Sequence, residues 1–250
     1  MTHPLDGTFE KLERADQNIR NLESEIALFF KESEYPIIPQ GDMETFKKAI
    51  DYHSSRAMSP RFSVLAGEVI HHLRSALDHV AWQLSSTTYR RDFARAIEFP
   101  IFDEEPVKKK ERSRYERKIE GISSTQARLL IEQFQPYQRG DDVINDPLLI
   151  VHNMDRIDKH QELVILLPGL HSRLDLREFV SQIDRMKREA EMANKPIPTI
   201  PEAMQKYAIV TPQVSFREFG DLDYKPVIPG LFQLAKYIKN VVSMFAGEIK

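Results

Sequence analysis

Arg74 and His79 stand five positions apart in the run Arg74-Ser75-Ala76-Leu77-Asp78-His79. A guanidinium stays charged and can hold a phosphate or a developing negative charge. An imidazole can move a proton near neutral pH. Together they suit metal-free cleavage of a phosphodiester. Asp78 lies four positions beyond Arg74, the step at which an intrahelical ion pair orients a guanidinium. Residues five apart on one helix, however, point about 140° away from each other. Arg74 and His79 therefore need a second helix or a second chain to form one site. A two-fold axis would bring Arg74 of one copy towards His79 of the other. The plainer reading is a surface Arg–Asp pair, worth less than about 1 kcal/mol.

The element carrying these residues is the clearest in the chain. Ser59 suits an N-cap and Pro60 the first helical position. Phe62, Leu65, Val69, Leu73, Leu77, Val80, Ala81 and Leu84 then form a wide apolar face up to about Ser85. Gly67 inside it costs about 1 kcal/mol relative to Ala, which points to close packing by another helix. A first helix is expected over 9–33, from Leu12, Ala15, Ile19, Leu22, Ile26 and Phe29. Phe46 to Arg56 reads as the second arm of a hairpin with Tyr35 to Ile38, with a short helix as the alternative. Further helices are expected over 111–120, from after the Ser123 cap to before Gln135, and from the Asp146-Pro147 cap to near His160. Leu163 to Leu167 reads as a buried strand closed by Pro168-Gly169, and Tyr207 to Phe216 as another. Helices over 175–193 and 231–245 complete the pattern. The expected fold is mainly α: an antiparallel helical bundle over 1–161, with a small α+β extension over 162–250 packed on it. Trp82 and the Phe99–Phe102 cluster read as core.

The 250 residues contain no cysteine, which excludes disulfides, zinc–thiolate sites and thiol nucleophiles. The first ten residues are polar, and no run approaches the ~18 apolar residues of a membrane helix. A cytoplasmic protein without a membrane partner is expected. The net charge of −3 provides no global attraction for nucleic acid, so any such contact must be local. The candidate patch is Lys108 to Lys118, where seven of eleven residues are basic. Lys108, Lys109, Lys110, Arg112 and Arg114 could hold RNA phosphates, and Tyr115 could stack on a base. A solvated charged helix is the competing reading. There is no Gly-rich phosphate loop, dinucleotide motif or nucleophile elbow, and no cofactor is expected.

A metal centre is the alternative chemistry. Glu68, His72 and His79 fall near one helix stripe. With Asp155, Asp158 or His160 from another helix they could form a carboxylate–imidazole cluster in a metal-dependent hydrolase. A non-catalytic helical module that binds a protein partner is the third reading.

Arg-x4-His within a helix of an all-α domain resembles the signature of the HEPN superfamily. That resemblance implies a metal-independent ribonuclease or an RNA-binding protein, in toxin–antitoxin or phage-defence function, with the site at a homodimer interface. Arg74 would then bind or polarise the phosphate, and His79 would assist 2′-hydroxyl attack or protonate the leaving oxygen. A second resemblance covers more of the chain. Ala76-Leu77-Asp78-His79, Phe99-Pro100-Ile101, Gln135-Pro136-Tyr137 and Asp158-Lys159-His160 are similar to a pattern shared by a group of uncharacterised bacterial and phage proteins. It singles out Asp158, Lys159 and His160 as supporting residues that could bring a second phosphate ligand. The favourable position of cations at a helix C-terminus accounts equally well for Lys159 and His160.

Overall fold

The computed structural model describes residues 3–31, 59–160, 166–171, 176–194, 211–216 and 225–249. The chain is mainly α. Four helices share one core: α1 (Asp6–Lys31), α2 (Pro60–Leu84), α6 (Pro147–His160) and α8 (Val227–Phe245). Three shorter ones lie between α2 and α6: α3 (Thr87–Phe93), α4 (Lys109–Ile119) and α5 (Thr125–Gln133). A further helix, α7 (Leu176–Met192), sits between the strands β1 (Leu166–His171) and β2 (Thr211–Phe216). Residues 35–56, where a hairpin was one expectation, lie outside the described residues.

Local chemistry accounts for the starts of α2 and α6. The Ser59 hydroxyl accepts the Arg61 N–H at 3.3 Å, and Pro60 follows at a position that needs no amide donor. Asp146 Oδ1 accepts the Leu148 and Leu149 N–H groups at 2.9 and 3.3 Å, again with a proline next. The α5 cap is one residue later than expected. Ser124, not Ser123, accepts the Ala127 N–H at 3.1 Å, and its own hydroxyl donates to Glu248.

Helix α2 packs on α1, α6 and α8. Glu25 meets Arg61 and Asn18 meets Glu68, so α1 and α2 run antiparallel. Asp158 lies against Gly67 and Asp155 meets His71, so α6 is antiparallel to α2 as well. Leu73, Leu77 and Val80 of α2 are fully buried with Ile19 of α1, Val151 of α6 and Ile238 of α8. The closing helix, expected in an extension packed on the bundle, is itself one of the bundle's walls. Its face of Leu231, Leu234, Ile238, Val241, Val242 and Phe245 is buried. None of the described helices is long and apolar enough to cross a membrane.

The two strands pair antiparallel, with Leu166 opposite Phe216 and Pro168 opposite Val214. Pro168-Gly169 does not close the first strand as expected; the strand runs through it to His171. Val214 and Phe216 are buried in the bundle core.

Gly67 is the close-packing point that its cost foretold. A Cβ there would lie 2.8 Å from Asp158 Cγ and 2.9 Å from Asp158 Oδ2. Gly67→Ala gains about 1 kcal/mol of helix propensity but forces the Asp158 carboxylate to shift, and overpacking costs about 1–3 kcal/mol. A net loss of stability of about 1 kcal/mol is expected in urea unfolding. Making the same change in an Asp158→Ala background should turn the loss into a gain.

Candidate functional site

Arg74 is only 4% exposed, which an unpaired guanidinium would not tolerate. Its Nη2 donates to the Phe99 carbonyl at 3.0 Å, and its Nη1 lies 2.8 Å from Asp78 Oδ1. The same Asp78 oxygen accepts the Phe99 N–H at 2.9 Å. The i,i+4 pair therefore holds both polar groups of one residue's backbone. Burial pushes the Asp78 carboxyl above the usual carboxylate range, and Arg74 and the Phe99 N–H act against that. Gln135 continues the clamp. Its amide nitrogen donates to the Pro100 and Ile131 carbonyls at 3.0 Å each, and its oxygen accepts the Phe102 N–H at 3.1 Å. Arg74, Asp78, Phe99-Pro100-Ile101 and Gln135 are thus one network. The Arg74–Asp78 pair is structural, with Arg74 buried and Asp78 half-buried, not the exposed pair of the plainer reading.

The clamped segment forms one wall of a cleft of about 390 Å³, with α4 and α6 on the other sides. Four cations line it: Arg74 from α2, Arg114 and Lys118 from α4, and Arg156 from α6. Glu98 and Asp103 are its carboxylates, and His152 of α6 stands among the cations. Lys118 contacts Glu98 Oε1, while Glu98 Oε2 is 3.9 Å from Arg74 Nη2. Burial, then Arg74, pushes the Lys118 ammonium down to about 8, against the pull of Asp78. Burial pushes the His152 imidazole down to about 4, with Arg74, Arg156 and Lys118 adding to the shift and Asp155 opposing it. At neutral pH His152 is therefore an uncharged hydrogen-bonding group in a cationic cleft. Such crowded cations are relieved by an anion, and phosphate oxygens suit guanidinium and ammonium donors.

The low His152 value has a consequence for stability. Its ordinary value is near 6.5. Between pH 6.5 and 4 the unfolded chain takes up a proton that the folded chain refuses, so stability falls with pH across that window. The urea midpoint should drop on acidification from pH 7 to 4.5, and His152→Gln should flatten the drop. Equal slopes for both proteins would refute the assignment.

Among the residues nominated from sequence, Arg74 and Arg114 meet in this cleft. His79 does not line it. His79 is largely exposed, and the partial burial of its ring, followed by Lys11 of α1, pushes its imidazole down. Arg74 and His79 thus face apart, as their helical spacing requires. The supporting residues also lie elsewhere. Lys159 Nζ is 2.8 Å from the buried Asp155, whose other oxygen is 3.2 Å from His71 Nδ1. Asp158 packs on Gly67. His160 ends α6, and its side chain lies outside the described residues.

Among the described residues, which do not include the His160 side chain, the metal alternative lacks its geometry. Glu68 accepts from Asn18 at 3.2 Å, and Lys11 adds to the burial that pushes the His72 imidazole down. A cation beside His72 and His79 disfavours a bound metal ion. Among the described residues no group of three or more His, Asp or Glu could hold one.

The basic run is divided by its helix. Lys108 pairs with Glu111 at 3.6 Å and Arg112 with Glu116 at 3.4 Å. Lys109 and Lys110 are exposed. Tyr115 cannot stack on a base, because it is the buried anchor of α4. Its hydroxyl donates to Glu132 at 2.7 Å, and Tyr137 donates to the other oxygen of the same carboxylate. These groups border a larger cavity, of about 550 Å³, where Glu105, Glu116 and Glu132 outnumber Arg112 and Arg128. That balance makes it the weaker candidate for an anion. Trp82, expected in the core, is 36% exposed, with the Arg90 guanidinium 6.0 Å above its ring.

Sequence reasoning placed Lys118 in the basic run without singling it out, and it missed His152 and Arg156 as site residues. The available signal was two i,i+4 pairs, Arg114–Lys118 and His152–Arg156, each placing polar groups on one helix face. Nothing local said that the two faces meet. Comparison of the chain with protein-family models, with curated proteins and with solved structures returned no match.

Proposed function

We propose that the protein binds RNA through its phosphates, using the cleft between α4 and α6. The observation that carries the reading is the convergence of Arg74, Arg114, Lys118 and Arg156 on one cavity in a chain whose net charge is −3. Lys110, Arg114 and Lys118 follow at four-residue steps on α4, about 6 Å apart along its axis. The exposed end of that stripe leads a polyanion from solvent into the cleft. The HEPN resemblance selects RNA rather than DNA. It also extends the reading to cleavage by a homodimer, in which Arg74 of one copy would need His79 of the other.

The test is fluorescence anisotropy of a labelled single-stranded RNA over a salt series, with DNA of the same sequence beside it. Phosphate contacts should make the logarithm of the binding constant fall linearly with the logarithm of salt, by about 0.7 for each phosphate neutralised on a single strand. Charge reversal at Arg156 should weaken binding and flatten that slope. No binding at low salt, or an Arg156 variant that binds like the wild type, would refute the proposal.

A further inference from the structure

We propose that Glu98 is a built-in competitor for the anion site, occupying the place that a ligand phosphate takes when it binds. The inference rests on the phosphate-binding reading of the cleft. Its carboxylate spans two of the four cations: one oxygen contacts Lys118 and the other lies 3.9 Å from Arg74. Two oxygens set between an ammonium and a guanidinium form the pattern that two non-bridging phosphate oxygens would present.

The backbone holds Glu98 in place while leaving its side chain free to leave. The next residue, Phe99, is pinned through its N–H by Asp78 and through its carbonyl by Arg74, and its ring is buried against Phe245. Glu98 itself follows the exposed turn Ala94–Ala96, and its side chain is 48% exposed. It can swing into solvent without disturbing the clamp. Lys118, 16% exposed, cannot follow it. Displacement of Glu98 would therefore leave Lys118 and Arg74 facing the cleft, with Arg114 and Arg156 beside them.

A tethered carboxylate competes like a ligand at millimolar effective concentration. It keeps the half-buried Lys118 paired when the cleft has no ligand, and it screens out weakly charged molecules. Asp103 is the other carboxylate of the cleft, but no cation among the described residues lies within ion-pair distance of it, so it does not share this role.

Glu98→Gln preserves the shape and removes the charge. The experiment measures binding of single-stranded RNA and, separately, of inorganic phosphate to full-length wild type, Glu98→Gln, Lys118→Met and the double variant. Circular dichroism verifies folding in each. The expected result is roughly tenfold tighter binding by Glu98→Gln, an order of magnitude typical of removing a close competing charge. The gain should vanish in the double variant, because Glu98 competes mainly for Lys118. Unchanged or weaker binding by Glu98→Gln would overturn the proposal, as would an equal gain with and without Lys118. If phosphate alone binds and is tightened, the competitor role stands and the RNA reading falls. If neither probe binds either protein, the phosphate-binding reading fails and the competitor role with it.

Discussion

Arg74→Ala is expected to lower the unfolding free energy by about 3 kcal/mol, the low end of the range for removing one partner of a buried ion pair. Three groups lose their partner at once. The Phe99 carbonyl loses its donor, the half-buried Asp78 loses its counter-charge, and Glu98 loses one of its two cations. The Phe99 ring, 1% exposed and edge-on to Phe245, is then less firmly held. Arg74→Lys keeps the charge but lacks the fork that reaches Phe99 and Asp78 together, so it should recover only part of the loss. Asp78→Asn should cost less than Arg74→Ala, because the amide oxygen can still accept the Phe99 N–H. Urea unfolding of the three variants checks the order. An Arg74→Ala protein as stable as the wild type would sink the clamp. The result also sets a standard for any activity assay. Loss of function in Arg74→Ala is evidence of catalysis only where the same preparation is shown to be folded.

Arg156→Glu is expected to weaken RNA binding about 100-fold, which is about 2.7 kcal/mol, while stability changes by less than about 0.5 kcal/mol. The substitution removes one phosphate donor and sets a like charge against the strand, and such a juxtaposition costs several kcal/mol where it is desolvated. Stability is spared because Arg156 is exposed and no carboxylate among the described residues lies within ion-pair distance of it. The salt slope should flatten as one phosphate contact is lost. His79→Ala is the companion control. His79 lies beside Lys11 and outside the cleft, so its loss should leave binding intact and affect only a step that needs a second copy. Anisotropy titrations at two salt concentrations separate these outcomes. A His79→Ala defect in binding as large as that of Arg156→Glu would move the site to the α1 side of α2.

The helices were legible because their causes are local. Ser59-Pro60 and Asp146-Pro147 announce α2 and α6 through bonds that span two or three residues. The apolar stripes of α1 and α2 appear as read, and they are the faces that are buried. Gly67 was readable for the same reason, since a glycine inside a helix with a good apolar face calls for a close neighbour. The identity of that neighbour, Asp158, was not readable. Trp82 went the other way. Its apolar surface suggested core, but it lies at the edge of α2's buried face, where Arg90 of α3 covers it in part.

The site was half legible. Side-chain types and helical spacing established that Arg74 and His79 diverge on one helix, and that follows from 100° per residue wherever the helix sits. They could not establish what Arg74 faces. Phe99 is 25 residues away and Gln135 is 61, and each reaches the clamp only through the route of the chain between the helices. Lys118 and His152 are 34 residues apart and share a cleft only because α6 runs antiparallel to α2 while Tyr115 anchors α4 beside it. Sequence by itself thus determined a mainly α bundle, the starts of its two central helices and the separation of Arg74 from His79. Tertiary structure alone decided that Arg74 is a buried clamp, that Tyr115 is an anchor, and that four cations meet around an uncharged histidine. The division is physical: caps, periodicity and helical phase act within a few residues, whereas burial, which removes the charge of His152 at neutral pH and loosens the Lys118 proton, is a property of the packed whole.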